Sequence, residues 1–244
     1  MNTVTSVREH YDNFLASHYS WICGGSDLKI NENRIFFRDH IGCSNCSGVA
    51  VDLGAGSGFQ TIPLAEAGFD VIAIDTSREL LAELNDNAKG LDIVTIQDDL
   101  LNFAEYIPSK VKIIVCMGDT LTHLKSREEV QALFRNVYPA LEEEGLFILA
   151  FRDLSVELTD LDRFIPVRSD AKRIFMCFLE YEKNHVKVHD IIYEKTHNRW
   201  CMHSSFYRKL RISAQWTREC LHKVNLKVEV YDIRGGMVTI IARK

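Results

Sequence analysis

Three glycines, Gly54, Gly56 and Gly58, stand at alternate positions directly after an apolar segment. Glycine lets the backbone pass close to a ligand in conformations that a Cβ would forbid, and amides at the start of the following helix can face negative charge. The apolar residues of segment 49–53 predict a strand buried on both faces, and apolar residues at helical spacing follow from position 61. This strand, turn and helix therefore predict a cofactor-binding loop.

The spacing of the glycines narrows the choice of cofactor. A dinucleotide-binding turn needs its third glycine at position 59, which is Phe59, and the Gly-Lys-Ser/Thr ending of a phosphate-binding loop is absent. The motif that begins at Asp52, Asp-x-Gly-x-Gly-x-Gly, resembles the first motif of the class I S-adenosylmethionine-dependent methyltransferases. The resemblance covers residues 49–151 in order and spacing, together with the C-terminal hairpin. It implies S-adenosyl-L-methionine as cofactor, S-adenosyl-L-homocysteine as its product, and a small-molecule methyl acceptor whose methylated atom (O, N or C) stays open.

Carboxylates end the next two predicted strands. Asp75 closes strand 69–75 about 20 residues after the first glycine, where an acidic side chain can accept hydrogen bonds from both ribose hydroxyls. The third strand runs into Asp98, Asp99 and Leu100. In the family that the chain resembles, an Asp here accepts from the adenine amino group and the next apolar residue packs on the ring. Asp99 fits this pattern better than Asp98, although a slip of one residue would exchange them.

Polar residues follow the fourth predicted strand, 112–116, on the side of the sheet where ligands bind in this architecture. The resemblance implies that Met117 and Gly118 line the methionine part of the cofactor. Asp119 could accept the ammonium group of that cofactor, neutralise a cationic substrate or cap the next turn. His123 could act as a base or could be a packed, hydrogen-bonded residue.

A capping-box helix over 126–141, which Gly145 is expected to stop, precedes the fifth predicted strand, 146–151. That strand brings Arg152 and Asp153 to the same edge of the sheet. They could recognise substrate or form an internal ion pair that holds the loop.

The N-terminal segment predicts an amphipathic helix over residues 1–22 and a second helix over 31–42. One interpretation is a plain packing helix. The other, which the resemblance supports, is that Tyr11, Tyr19 or Trp21 covers the cofactor cleft.

Hydrophobicity alternates with period two over residues 163–212 and predicts an antiparallel insertion, with strands at 173–181, 186–193 and 200–212. Relatives of the family carry their substrate lid at this position. Four cations lie at the entrance of this insertion: Arg163, Arg168, Lys172 and Arg173. Either they are solvated, or they attract a carboxylate or phosphate of the acceptor. Weaker candidates for this role are Tyr207, Arg208 and Arg211.

The fold class that follows is α/β, with a Rossmann-like seven-stranded, mostly parallel sheet whose last strand is antiparallel. We predict a helical cap (1–42), a cofactor-binding core (43–154), an antiparallel β lid (155–212) and a C-terminal helix and hairpin that complete the core (213–244). The predicted cofactor-binding residues are Asp52, Gly54, Ala55, Gly56, Gly58, Asp75, Thr76, Asp99, Leu100, Met117 and Gly118. The predicted catalytic candidates are Asp119, His123, Tyr19 and Arg152.

The bulk properties limit the alternatives. A net charge of −5 over 244 residues argues against a nucleic-acid scaffold. No apolar stretch reaches the roughly 18 residues of a membrane span, and we find no signal-peptide layout, so a soluble cytoplasmic protein is expected. Seven cysteines are scattered, and the lone Cys43-x-x-Cys46 pair is a poor zinc candidate, so we expect reduced thiols and no metal.

Three other functions are alternatives to methylation of a small molecule. They are a methyltransferase of tRNA or protein, a non-catalytic S-adenosylmethionine-binding interaction protein, and a dehydrogenase. The acceptor could be anionic and the protein could be a homodimer.

Overall fold

The computed structural model describes residues 6–42 and 46–244. Its centre is a seven-stranded sheet in the spatial order β10-β11-β5-β4-β1-β2-β3, in which β11 runs antiparallel to both of its neighbours and the other strands run parallel to one another. The strands are β1 (Val49–Leu53), β2 (Asp70–Asp75), β3 (Ile93–Gln97), β4 (Val111–Cys116), β5 (Leu141–Arg152), β10 (Lys227–Arg234) and β11 (Met237–Arg243). The predicted sheet and its antiparallel last strand are confirmed.

Helices cover both faces of this sheet, as continuous apolar strands require. Within β4, Ile114 and Cys116 pack in the same cluster as Phe134 and Leu221 on one face of the sheet. Ile113 and Val115 pack in the same cluster as Phe37 and Leu64 on the other face. The helices are α3 (Ser26–Ile41), α4 (Thr61–Glu66), α5 (Arg78–Asn87), α6 (Arg127–Ala140) and α7 (Ala214–Lys223). Short 3₁₀ turns follow β3 and β4 at Leu100–Glu105 and Thr120–His123, and a third spans Asp160–Arg163.

A four-stranded antiparallel sheet, which we call the lid, stands beside the main sheet. Its strands are β6 (Phe164–Ser169), β7 (Arg173–Tyr181), β8 (His185–Thr196) and β9 (Arg199–Leu210). The last three were predicted. Strand β6 was not, because Pro166 and an irregularity before Arg168 interrupt its alternation; proline is tolerated there because β6 is an edge strand.

The cap, residues 7–22, is a helix in three parts: α1 (Val7–His10), a π-helical turn (Tyr11–Leu15) and α2 (Ala16–Ile22). Ser6 and Glu9 form a capping box at its start. Leu15 of the cap packs with Phe175 and Ile192 of the lid.

Two predicted boundaries are wrong. Helix α3 begins at Ser26 instead of residue 31, directly after Gly25, whose φ of 107° turns the chain. Strand β5 begins at Leu141 instead of residue 146. Helix α6 ends at Ala140, one residue before its predicted end, and Leu141 is already extended, so Gly145 lies within β5 and does not stop the helix.

The described cysteines differ in state. Cys46 is disulfide-bonded, so the expectation of reduced thiols is wrong there, whereas five others are free. Cys43, the other cysteine of the Cys43-x-x-Cys46 motif, lies outside the described residues. No helix within the described ranges is both long and apolar enough to cross a membrane.

Candidate active site

A cavity of about 970 Å³ lies at the carboxyl ends of the parallel strands, between the glycine turn, the cap and the lid. Its size is at the upper end of the range for small-molecule sites. Nine of the predicted cofactor-binding residues line it: Gly54, Ala55, Gly56, Asp75, Thr76, Asp99, Leu100, Met117 and Gly118. Tyr19, His123 and Arg152 line it too, so the topology brings together residues that are spread over most of the chain.

The glycine turn is held against β2 and leaves space at its tip. The amides of Gly54 and Ala55 donate to the Ile74 carbonyl at 2.8 and 3.0 Å. Gly54 has a φ of +77°, and a Cβ there would meet Thr120 Cγ2 at 2.3 Å. At Gly56, with φ of +53°, the nearest atom to an added Cβ would be 3.8 Å away. Space at Gly56 is therefore available to a ligand.

Asp52 and Gly58 do not line the cavity, contrary to the prediction. Asp52 is 1% exposed and accepts a hydrogen bond from Thr61 Oγ1 at 2.6 Å. Burial raises its pKa to about 7, although the Thr61 bond opposes that rise. A Cβ on Gly58 would lie 2.9 Å from Leu84 Cγ. Both residues support the turn from behind.

Asp75 faces the cavity and also organises its wall. Its Oδ2 accepts from the Gly56 amide and its Oδ1 from the Ser77 amide, both at 2.8 Å. Burial raises the pKa of Asp75, and these two bonds oppose that rise. A carboxylate oxygen can accept more than one hydrogen bond, so both oxygens keep capacity for ligand hydroxyls.

The structure separates the roles of the adjacent carboxylates after β3. Asp98 accepts from the Tyr106 hydroxyl at 2.5 Å and from Asn102, and these bonds lower its pKa. Asp99 caps the following turn through one oxygen, which accepts from the Leu101 amide at 3.0 Å. Asp98 also lines the cavity, but each of its oxygens already accepts two hydrogen bonds from the protein. In the part of the chain that the structure describes, one oxygen of Asp99 accepts none and can serve a ligand.

Asp119 lies outside the cavity lining, so its candidacy as a catalytic residue is not supported. Its Oδ1 accepts from the Arg152 amide at 2.9 Å, and its Oδ2 accepts from the ammonium of Lys209 in β9. Burial favours the neutral acid, but the charge of Lys209 and these hydrogen bonds lower the pKa of Asp119 below its ordinary value. Asp119 therefore joins β4, β5 and the lid. The local sequence gave no signal for Lys209 as its partner.

His123 does line the cavity, and its Nε2 is buried without a hydrogen-bond partner in the part of the chain that the structure describes. Burial, reinforced by the charge of Lys209, lowers its pKa to about 3. The imidazole is therefore neutral near pH 7, and its unpartnered nitrogen is available to a ligand.

The cap is tied to both the core and the lid. His10 is fully buried; its Nε2 lies 2.8 Å from Asp190 Oδ2 in β8 and its Nδ1 lies 2.9 Å from Ser205 Oγ in β9. Asp12 accepts from Ser77 Oγ at 2.8 Å, beside Asp75. These contacts cross long stretches of sequence, and only the fold reveals them.

The cations at the lid entrance do not reach the cavity. Arg163 lies over the Phe178 ring, and Arg168 and Arg173 lie over Trp21. Arg208 lines the cavity but is paired with Glu182. Arg152 also lines the cavity; its side chain is 54% exposed and lies 3.9 Å from Asp119 Oδ2.

Part of the chain is similar in sequence to known methyltransferases. A family model described as a methyltransferase domain matches residues 50–145. The glycine/sarcosine N-methyltransferase of Aphanothece halophytica is 32% identical over 112 residues, which cover 45% of this chain and 42% of that protein. The enzyme of the same name from Halorhodospira halochloris is 34% identical over 105 residues, which cover 42% and 39%. The aligned part of the chain thus spans about two fifths of these curated relatives.

Solved structures extend the likeness to nearly the whole fold. An S-adenosylmethionine-dependent methyltransferase from Clostridium acetobutylicum superposes with a TM-score of 0.72 at 16% identity, covering 96% of this chain and 95% of that one. A sugar N-methyltransferase from a Streptoalloteichus species gives 0.71 at 13% identity, covering 100% and 97%. At these identities the likeness concerns the fold.

Proposed function

Since this chain carries a methyltransferase domain in the class I S-adenosylmethionine-dependent methyltransferase fold, we propose that it transfers a methyl group from S-adenosylmethionine to a small-molecule acceptor. The observation that carries the proposal is the convergence of the glycine turn, two carboxylates and the Met117–Gly118 step on one cavity. A cytoplasmic location, a homodimer and the division into cap, core and lid stay predictions.

The residues present fit S-adenosylmethionine. We infer that the open space at Gly56 admits its amino-acid part, that Asp75 accepts from the ribose hydroxyls and that Asp99 accepts from the adenine amino group. When bound, this cofactor supplies a methyl group activated by positive sulfur. The protein then has to exclude water and hold the acceptor in line with that methyl group.

The acceptor group that we favour is an uncharged amine. The curated relatives above are named as N-methyltransferases, and His123 offers a neutral nitrogen that can accept a hydrogen bond from an amine N–H. A histidine with a pKa of about 3 is a poor general base for an ammonium ion, so the amine must arrive deprotonated. Arg152 provides a partly exposed cation for a carboxylate or phosphate elsewhere on the acceptor.

Calorimetry with S-adenosylhomocysteine tests the cofactor assignment. Gly56→Val should weaken binding at least tenfold, because its side chain enters the ligand space and its positive φ disfavours a branched residue. Gly90→Val is the matched control: Gly90 has a φ of +88° and open space around it, but lies outside the cavity lining. Equal binding by both variants, or preferential binding of a nicotinamide dinucleotide, would refute the assignment.

Transfer of a labelled methyl group to a metabolite extract, to deproteinised tRNA and to intact protein tests the acceptor class. We expect label in small amines. Label in tRNA or protein alone would favour a macromolecular methyltransferase. Tight cofactor binding with no labelled product in any fraction would favour an interaction protein.

A further inference from the structure

Tyr11 lies between the cofactor side and the lid side of the cavity. On one side its ring is 5.9 Å from Tyr19, whose Cε1 would be 3.8 Å from a Cβ on Gly56. On the other side it is 5.7 Å from His123 and 6.4 Å from Tyr207 of β9. Tyr11 is the first residue of the π-helical turn and directly follows the buried His10. It also lines the cavity. Tyr11 therefore lies between the side of the cavity that we assign to the cofactor and the lid.

Within residues 6–42 and 46–244, no arginine or lysine lies over the ring of Tyr11 or of its neighbour Tyr19. Elsewhere in the described residues, arginine and lysine groups lie over the rings of tyrosine, tryptophan and phenylalanine side chains; Lys209, for example, is 5.8 Å from the Tyr207 ring centroid. No such contact involves either of the cavity tyrosines in that part of the chain. Rings that contact Tyr11 do so edge-on or tilted, so no parallel ring covers it. Because Tyr11 lines the cavity, a ligand cation there can meet its ring.

The charges around Tyr11 suit a cation as well. Burial first, then Tyr19, then the carboxylates Asp190, Asp75 and Asp119 hold the pKa of the Tyr11 phenol well above its ordinary value, so the ring stays uncharged. Of the nearby cations, Lys209 is paired with Asp119 and Arg152 is half exposed. The charges that act on the Tyr11 phenol are thus carboxylates, which attract a cation, whereas the charge of Lys209 opposes a cation at His123.

Methyl transfer to an amine places a cation at this point. The nitrogen lone pair forms the new C–N bond, the electron pair of the C–S bond goes to sulfur, and the positive charge moves from sulfur to nitrogen; the methylated ammonium later releases a proton to water. We propose that Tyr11, backed by His123 and Tyr207, forms an acceptor subsite that holds this nitrogen and selects amines over alcohols and thiols. The inference rests on the proposed methyl transfer.

The subsite is tested with a probe that cannot react. In the full chain saturated with S-adenosylhomocysteine, we expect tetramethylammonium to bind about 10- to 30-fold more tightly than tert-butanol, a neutral molecule of similar size. Tyr11→Leu should abolish this preference and Tyr11→Phe, which keeps the ring face, should retain it. Tyr231→Leu, at an exposed tyrosine on β10, is the control and should behave as the wild type.

The outcomes separate this inference from the proposed function. If the wild type binds no S-adenosylhomocysteine, the proposed function fails. If it binds that compound but does not distinguish tetramethylammonium from tert-butanol, only the Tyr11 subsite is refuted. If Tyr11→Leu weakens S-adenosylmethionine but leaves S-adenosylhomocysteine and tetramethylammonium unchanged, the ring serves the sulfonium and the acceptor assignment is overturned.

Discussion

The buried carboxyl of Asp52 should make the stability of the protein fall as the pH rises. Its pKa is about 7 in the folded chain against an ordinary value of 3.8, because it is 1% exposed and has only Thr61 as a side-chain partner in the described structure. Between these two pH values the folded state keeps a proton that the unfolded state has released. The free energy of unfolding therefore falls with rising pH over this range.

The size of the effect follows from the two pKa values. At about 1.36 kcal/mol per pH unit, ionisation of Asp52 disfavours the folded state by about 4 kcal/mol, of which about 3 kcal/mol develops between pH 5 and pH 8.5. Asp52→Asn cannot ionise, and its amide oxygen can still accept from Thr61. The variant should therefore gain stability relative to the wild type by that amount over this interval.

Urea denaturation of both proteins at a series of pH values measures this difference. Other titrating groups, such as His123, cancel in the comparison. Asp86→Asn, at an exposed position on α5, is the control and should give a difference that does not change with pH. A flat difference for Asp52→Asn as well would mean that Asp52 ionises freely in the folded state, and the description of its surroundings would be wrong.

Three further changes test the framework around the cavity. Gly54→Ala should lose about 1–3 kcal/mol in urea denaturation, because its Cβ meets Thr120 at 2.3 Å, and Thr120→Ala should restore part of the loss; no loss would refute the contact. Lys209→Met should lose about 3–5 kcal/mol by removing the close charge partner of the buried Asp119, with a smaller loss when Asp119→Asn is added; additive losses would argue against a direct pair. His10→Ala should speed amide hydrogen exchange across residues 7–22, measured by mass spectrometry, and unchanged exchange would show that its buried bonds do not hold the cap.

The cavity wall around the glycine turn could be predicted because its determinants are local. Positive φ at Gly54 and Gly56 needs glycine, and a carboxylate that ends β2 must lie at the ligand edge of a parallel sheet. The alternation of β7 to β9 likewise predicted the lid. The motif did not show that Asp52 and Gly58 lie behind the turn and not in the cavity wall. It contains residues that line the cavity and residues that support the turn, and spacing alone does not separate the two groups.

The acceptor side could not be predicted, since its residues are positioned by contacts between distant segments. Asp119 was a catalytic candidate by its place after β4, but Lys209, 90 residues later, occupies it. The partner of His10 is 180 residues away. Neither pairing has a local pattern, because each depends on how the lid packs against the core and the cap.

The residues assigned to the cofactor and those assigned to the acceptor lie on different parts of the fold. The groups assigned to the cofactor lie on the turn and strand ends of the core, whereas Tyr11 comes from the cap and Tyr207 from the lid. Substitutions in the interface of cap and lid can therefore move Tyr11 without altering Gly56 or Asp75. Changes at His10 should shift acceptor affinity more than cofactor affinity, and a variant that weakened both equally would show that the cap positions the cofactor as well.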